Sequence, residues 1–279
     1  MALKLLNKIQ ISKNLKQYIC SKALNRATTA GIIVIGDEIL KGEVADTNST
    51  FLAAEFHQLG VQLKKLIQIS VVGDIVNEVA EEVQHFSKSY DYVITSGGIG
   101  PTHDDITYEA VAVAFEEKLV LHPELKDICA KFYNTSNVNC PGMKLAYVPE
   151  SARLNFIGVK GQKMIYPNVS VNNVYMFPGI PELLIKSFNN LKEILFKSNK
   201  KFYSKMVYFN ITEDKIAEVL QVLVEEYPEV QFGSYPKLLH SVYKVKVTIE
   251  SCKEESTIQA YKKLLTLIPK RYIVDDGDI

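Results

Sequence analysis

Short apolar runs alternate with amphipathic stretches along residues 31–178, and that alternation predicts repeated β-α units. Gly31-Ile-Ile-Val-Ile35 is continuously apolar and stops at Gly36, the pattern of a strand buried on both faces. Asp46-Thr47-Asn48-Ser49 offers capping side chains to a helix whose apolar stripe is Phe51, Leu52, Phe56 and Leu59. Gly60 closes it. Val61 to Val72 alternates as a strand, and Val76, Val79, Ala80 and Val83 mark the next helix. Tyr90 to Thr95 is a second buried strand that runs into Ser96-Gly97-Gly98-Ile99-Gly100-Pro101. Helices are predicted through Ala110, Val111, Ala114 and Phe115 and from Pro123 to Tyr133. From Ala146 to Pro178 the pattern turns to short strands and turns, ending in the buried strand Val174-Tyr-Met-Phe177. Pro181 suits the first turn of a helix whose buried face is Leu184, Ile185, Phe188 and Leu191. The fold expected is α/β, a three-layer α/β/α arrangement around a mainly parallel sheet.

The order changes after the polar, non-periodic stretch Lys197-Ser-Asn-Lys-Lys201, which has the composition of a linker. Strands at 202–210, 230–235, 242–249 and 272–274 and helices at 213–227 and 254–268 give β-α-β-β-α-β, a smaller α+β ferredoxin-like domain. The alternation of Val242, Lys244, Lys246 and Thr248 with apolar or aromatic neighbours leaves open which set faces solvent. The expected domains are therefore 29–197 and 202–279, behind a leader at 1–28.

Composition narrows the function. Hydrophobic residues make up 47% of the 279 and charged residues 23%, an ordinary globular mix that excludes disorder and fibrous structure. Lys plus Arg and Asp plus Glu each total 32, a balance that argues against a dedicated nucleic-acid binder. No apolar run approaches the roughly 20 residues of a bilayer span, so no membrane partner is expected. The charge is unevenly placed, however. No acid precedes Asp37, while Lys4, Lys8, Lys13, Lys16, Lys22 and Arg26 interleave with Leu3, Leu5, Leu6, Ile9, Ile11, Leu15 and Ile19. A basic, acid-free, leucine-rich start has the composition of a mitochondrial presequence, and a matrix location is expected. The alternative is a solvated basic tail on a cytoplasmic protein. Cys20, Cys129, Cys140 and Cys252 have neither zinc-site nor disulfide-framework spacing.

In an open parallel sheet, ligands bind beyond the carboxyl ends of the strands, and three such loops are rich in Gly and carboxylates. They are Gly36-Asp37-Glu38-Ile39-Leu40-Lys41-Gly42, Gly97 through Thr107, and Phe177-Pro178-Gly179-Ile180-Pro181-Glu182. Gly97, Gly98 and Gly100 let backbone N–H groups approach phosphate oxygens, and the helix that follows adds its dipole. Asp104 and Asp105 would repel that anion unless a divalent cation bridges them, which makes them candidate catalytic residues and metal ligands. The bland alternative is one aspartate capping the helix and the other solvated. Asp37 and Glu38 either share the metal or serve as ordinary loop acids, Glu38 also being able to accept bonds from a ribose or a ring. Lys41 suits a phosphate counterion, and Asp46 suits an N-cap with Asn48 facing the site. Candidate substrate-binding residues are Gly36, Lys41, Asn48, Gly97, Gly98, Gly100, Thr102, Thr107, Pro178, Gly179, Pro181 and Glu182. The glycine loop is neither GxxxxGK[ST] nor GxGxxG, which excludes a Walker-type NTPase and a dinucleotide fingerprint.

Gly36-Asp-Glu-Ile-Leu-Lys-Gly42, Asp46-Thr-Asn48, Gly97-Gly-Ile-Gly-Pro-Thr-His-Asp-Asp-Ile-Thr107 and Pro178-Gly-Ile-Pro-Glu182 occur in one order. Together they resemble the molybdopterin-binding (MoaB/Mog-like) fold family over about residues 29–196. Ser151-Ala-Arg-Leu154, Ser170-Val171, Asn173 through Leu184 and Gly233-Ser-Tyr-Pro236 carry a closer likeness. It is to the N-terminal region of animal FAD synthases and to bacterial competence/damage-inducible (CinA-like) proteins. In the molybdenum-cofactor branch the resemblance implies binding of a pterin phosphate and support of its adenylation. In the FAD synthase and competence branch it implies a metal-dependent pyrophosphatase, using Mg2+, Mn2+ or Co2+, that splits FAD to FMN and AMP. FAD synthesis belongs to a further reductase-like domain in such enzymes, which the sequence up to Ile279 does not contain. The expectation is thus a hydrolase with a small-molecule nucleotide substrate, FAD or pterin-like. The alternatives are a molybdopterin adenylyltransferase and a non-catalytic regulatory paralogue. Self-association as a homo-oligomer is implied by the resemblance alone.

Overall fold

A computed structural model describes residues 28–61, 69–237 and 241–274. The expected leader through residue 27, with Cys20, lies outside the described residues, as do residues 62–68 of the strand expected from Val61. The chain divides into two compact units, residues 1–199 and 200–279.

The first unit opens with β1 (Ala30–Ile35), buried at every position. A single helical turn α1 (Asp37–Leu40) and α2 (Asn48–Gln58) follow, then β2 (Ile69–Val72), α3 (Val76–Ser89) and β3 (Tyr92–Ser96). Next come α4 (Thr107–Ala114), β4 (Leu119–Leu121), α5 (Pro123–Phe132) and a 3-10 segment, Pro141–Ala146. The unit closes with β5 (Tyr147–Pro149), β6 (Arg153–Ile157), β7 (Lys163–Val171), β8 (Val174–Phe177) and α6 (Pro181–Leu195). The main sheet has the order β2-β1-β3-β8-β7-β6. Its first four strands are parallel, while β7 and β6 extend it in antiparallel fashion. That extension lies in the region where the sequence pattern indicated only short strands and turns.

Because side chains alternate across a strand, β1 feeds two cores. Ile33 and Ile35 pack with Val79, Val83 and Phe86 of α3, Val111 of α4 and Leu125 of α5. Ile32 and Val34 pack on the other face with Leu52 and Phe56 of α2, Leu184 and Phe188 of α6, and Phe196. The result is the expected three layers. Phe188 is the hub of the second core, edge-on to Phe56 at 5.3 Å and stacked on Phe196 at 5.4 Å. A partly buried ion pair, Lys192 with Glu55, ties α6 to α2 beside it.

Some boundaries shift for local reasons. The strand expected from Tyr90 begins at Tyr92, since the Tyr90 amide still closes α3 by donating to the Phe86 carbonyl at 2.9 Å. Asp46, expected as the N-cap, stands one residue before the cap position Thr47 and supports the first turn of α2 instead, its carboxylate accepting the Ser49 amide at 2.9 Å and the Ser49 hydroxyl.

The second unit comprises β9 (Tyr203–Phe209), α7 (Glu213–Glu226), β10 (Gln231–Pro236), β11 (Val245–Ser251), α8 (Glu254–Leu267) and β12 (Ile273–Val274). Its sheet order, β10-β11-β9-β12, is antiparallel throughout, the split β-α-β-β-α-β arrangement. Val245, Val247 and Ile249 face a core with Ile216, Leu223, Ala260 and Leu264, which places Lys246 and Thr248 on the opposite, partly exposed face. Among the described residues, no helix is long and apolar enough to cross a membrane.

Phe188→Ala removes a fully buried ring from a core of interlocking aromatics. It is expected to destabilise the first unit by about 3–5 kcal/mol, measured by denaturant unfolding followed through near-UV dichroism.

Candidate active site

The parallel registers align four strand ends on one edge of the main sheet. Ile35 of β1 pairs with Val72 of β2, Val34 with Ser96 of β3, and Ser96 with Phe177 of β8. Four loops therefore leave side by side: Gly73-Asp74, Gly36-Asp37-Glu38, the glycine loop after Ser96, and Pro178-Gly179. The chain leaves β1 for β2 on one side and β3 on the other, so this is also a topological switch point.

Thr107, the first residue of α4, shapes the glycine loop. Its amide donates to the Gly98 carbonyl at 3.0 Å and its hydroxyl to the Gly97 carbonyl at 2.7 Å. With those two carbonyls drawn back, the amides of Gly98, Ile99 and Gly100 donate to no protein acceptor among the described residues. Three successive unpaired amides beside the N-terminus of α4 form a nest suited to an anion. Gly97 has φ +110°, and a Cβ there would lie 2.0 Å from the Ile35 carbonyl oxygen, so no side chain fits. Asn48 ties this loop to its neighbour: its Nδ2 donates to Ser96 Oγ at 3.0 Å and to the Gly179 carbonyl at 2.7 Å.

The carboxylates divide into two sets. Asp37 and Asp74 exchange backbone bonds: the Asp37 amide donates to Asp74 Oδ2 at 3.0 Å and the Asp74 amide to Asp37 Oδ1 at 3.3 Å. Lys41, one turn along α1, donates to Asp37 at 3.0 Å, and this bond, with the Asp74 amide, holds the Asp37 carboxyl below its usual range. Asp74 is pushed the other way, first by burial and then by the charges of Asp37, Glu38 and Asp104. Four acids thus share one neighbourhood. Asp104, exposed, is held low by the Thr102 hydroxyl and its own backbone, with smaller help from His103 and Lys144. Asp105 belongs elsewhere. Its Oδ2 accepts the Thr102 amide at 2.7 Å and the Thr102 hydroxyl, and its charge is felt by Tyr133, whose phenol is raised mainly by burial. The two adjacent aspartates are therefore not equivalent: Asp105 shapes the loop while Asp104 joins the acid group. Neither caps α4, since that helix has no side-chain cap.

Gly36 is buried and its amide is committed to the Val72 carbonyl at 3.1 Å. Thr107 is fully buried, so it acts on the loop and not on a ligand. Pro178 is half-buried and Gly179 exposed; Pro181 and Glu182 occupy the first turn of α6 on the surface. His103 is almost wholly exposed, 3.8 Å from Asp104. The sequence pattern missed two residues. Asp74 carried a signal, since Gly73-Asp74 directly follows a strand predicted to end at Val72. Lys144 carried none. It arrives from the 3-10 segment Pro141–Ala146 and donates to the Thr102 and His103 carbonyls at 2.6 and 3.3 Å, across 42 and 41 residues of chain.

Among the described residues, no three His, Cys, Asp or Glu side chains stand close enough to hold a metal ion as they are. The chemistry of the donor set nevertheless suits a hard divalent cation: Asp37, Glu38, Asp74 and Asp104 are all oxygen donors, and like charge pushes Asp74 up even though Lys41 pairs with Asp37 and Lys144 and His103 act on Asp104.

Residues 31–197 match the family described as "Probable molybdopterin binding domain", and residues 201–277 match "FAD synthase, middle domain". A "Probable FAD synthase" of Caenorhabditis briggsae is 38% identical over 82% of this chain and 47% of its own length. A "CinA-like protein" of Thermotoga neapolitana is 31% identical over 85% of this chain and 57% of its own. The chain spans about half the length of the curated relatives it matches. Among solved structures, a CinA protein of unknown function from Thermoplasma acidophilum aligns with a TM-score of 0.54 at 26% identity, covering 61% of this chain and 99% of that one. The four strand-end loops, the parallel sheet that aligns them and the match over residues 31–197 agree: the chain belongs to the molybdopterin-binding (MoaB/Mog-like) domain family, with a second domain of the FAD synthase middle type.

Proposed function

We propose that the first unit is a metal-dependent pyrophosphatase that hydrolyses FAD, or a related ADP-containing dinucleotide, to FMN and AMP. The observation that carries this reading is the juxtaposition at one sheet edge of three unpaired amides, Gly98 to Gly100, with the acid group around Asp74. An anion nest beside four carboxylates suits a phosphate ligand only when cations accompany it. The likeness to "Probable FAD synthase" and to the FAD synthase middle domain supports a flavin dinucleotide over other pyrophosphates. The match to the molybdopterin-binding family supports a second reading, adenylyl transfer to a pterin phosphate, for which the same nest and acids would serve.

A divalent cation, Mg2+, Mn2+ or Co2+, held by oxygens of Asp37, Glu38, Asp74 and Asp104 would supply neutralisation of the pyrophosphate and a water of lowered pKa. The chain's own part is positioning. The Gly98–Gly100 amides bind the phosphoryl oxygens and stabilise the charge that spreads over them as water attacks phosphorus. Thr107 and Asn48 keep that cradle rigid, and Lys41 supplies a cation at the Asp37 carboxylate. Asp105 acts through the Thr102 turn. We further propose that residues 1–28 direct the chain to the mitochondrial matrix and that the protein self-associates.

Purified protein incubated with FAD and Mg2+, Mn2+ or Co2+ is expected to release equal FMN and AMP, and Asp104→Asn to lower kcat by about 100-fold or more. No AMP from the wild type, or equal turnover by the variant, overturns the hydrolase. Asp74 gives a pH test. A raised carboxyl contributes stability while protonated and loses it as pH rises through its folded pKa. At pH 7, without metal, Asp74→Asn should therefore melt about 1–2 °C above wild type, the shift of a partly exposed charge. That advantage should vanish below about pH 4. Added Mn2+ should raise the wild-type midpoint and leave the variant's nearly unchanged. A reporter fused to residues 1–30 should enter mitochondria; diffuse cytosolic signal removes the targeting proposal.

A further inference from the structure

Beside the glycine loop an open cleft of about 510 Å³ runs between the Pro101–His103 turn and the segment from Val138 to Tyr147. We propose that this cleft is the subsite for the flat, oxo-substituted ring of the substrate, an isoalloxazine under the pyrophosphatase reading on which the inference rests. Its volume falls in the range of small-molecule sites. Its walls include Pro101, Pro141, Val138 and Tyr147, and no carboxylate lines it. Proline and tyrosine faces bind flat uncharged rings through apolar contact and edge-to-face packing. Thr102, His103, Asn139 and Lys144 also line it and offer hydrogen-bonding groups to the polar edge of such a ring.

The cleft's place relative to the cradle supports the assignment. Pro101 directly follows Gly100, whose amide is the last of the three unpaired donors, so phosphates in the nest lie one residue from the cleft wall. Lys144 joins the two features. Its ammonium carries three donors; two go to the Thr102 and His103 carbonyls, fastening one wall to the other. It also feels the Asp104 charge, but no third hydrogen-bond acceptor for it occurs among the described residues, which leaves the third hydrogen for a ring carbonyl. An isoalloxazine has two such carbonyls on one edge, whereas adenine has none. The flavin half of the dinucleotide thus belongs in this cleft and the adenosine half on the other side of the cradle.

The test is direct binding, separate from turnover. FMN, which has no pyrophosphate to cleave, is titrated into the full chain and followed by flavin fluorescence, and ADP-ribose is titrated by calorimetry. Val138→Trp fills the cleft from an exposed position, and Tyr147→Ala removes its aromatic wall. Both are expected to weaken FMN tenfold or more and to leave ADP-ribose within twofold. Unchanged FMN affinity in Val138→Trp, parallel loss of ADP-ribose, or no FMN binding by the wild type overturns the subsite. Cleft-dependent FMN binding without AMP release from FAD sinks the hydrolase and leaves the ring subsite standing.

Discussion

Two hydrogen bonds from Thr107 to consecutive glycine carbonyls are the constraint on which the candidate site rests. A backbone segment cannot present its amides to a ligand while its carbonyls compete for the same side, and here the carbonyls of Gly97 and Gly98 are held by a buried threonine at the start of α4. The resulting amides are partly exposed and take no protein acceptor among the described residues, so they stay open to a ligand at the cost only of displaced water. Gly97 makes the geometry possible, since its Cα passes so close to the Ile35 carbonyl that any side chain would collide.

The second feature is charge left unbalanced on purpose of the fold's topology. Parallel strands put all their carboxyl ends on one edge, and three of the four loops there bear acids. Asp37 has found a cation in Lys41, while Asp74, further from solvent, is surrounded by like charge. A surface salt bridge is worth little to stability, so the Lys41 contact does not explain why so many acids collect there. Under the proposed function, a ligand that brings cations accounts for them.

Lys144 shows how the unit is made coherent. The glycine loop is long and exposed around Thr102 and His103, and its local bonds, chiefly Asp105 to Thr102, set its shape but not its place. Two bonds from the 3-10 segment fasten it to the wall opposite. The cleft and the cradle therefore share one loop.

The sequence determined the layers. β1 is apolar at every position, which only a strand covered on both faces tolerates, and Gly36, Gly60 and Pro181 mark ends where the backbone must turn or a helix must start. It also determined the glycine loop, because closely spaced glycines between a buried strand and a helix have few other uses. Tertiary structure decided the rest. Which of Asp104 and Asp105 plays which part was not legible in the spacing, because adjacent residues in a turn face different surroundings and sequence spacing carries no direction. Thr107 turned inward because its hydroxyl had a buried carbonyl to satisfy. Asp74 was within reach of the strand-end rule, but its raised carboxyl depends first on burial and then on three charges from two other loops, which only folding supplies. Lys144 depended on a contact across 42 residues, and no local pattern encodes a partner that only folding brings near.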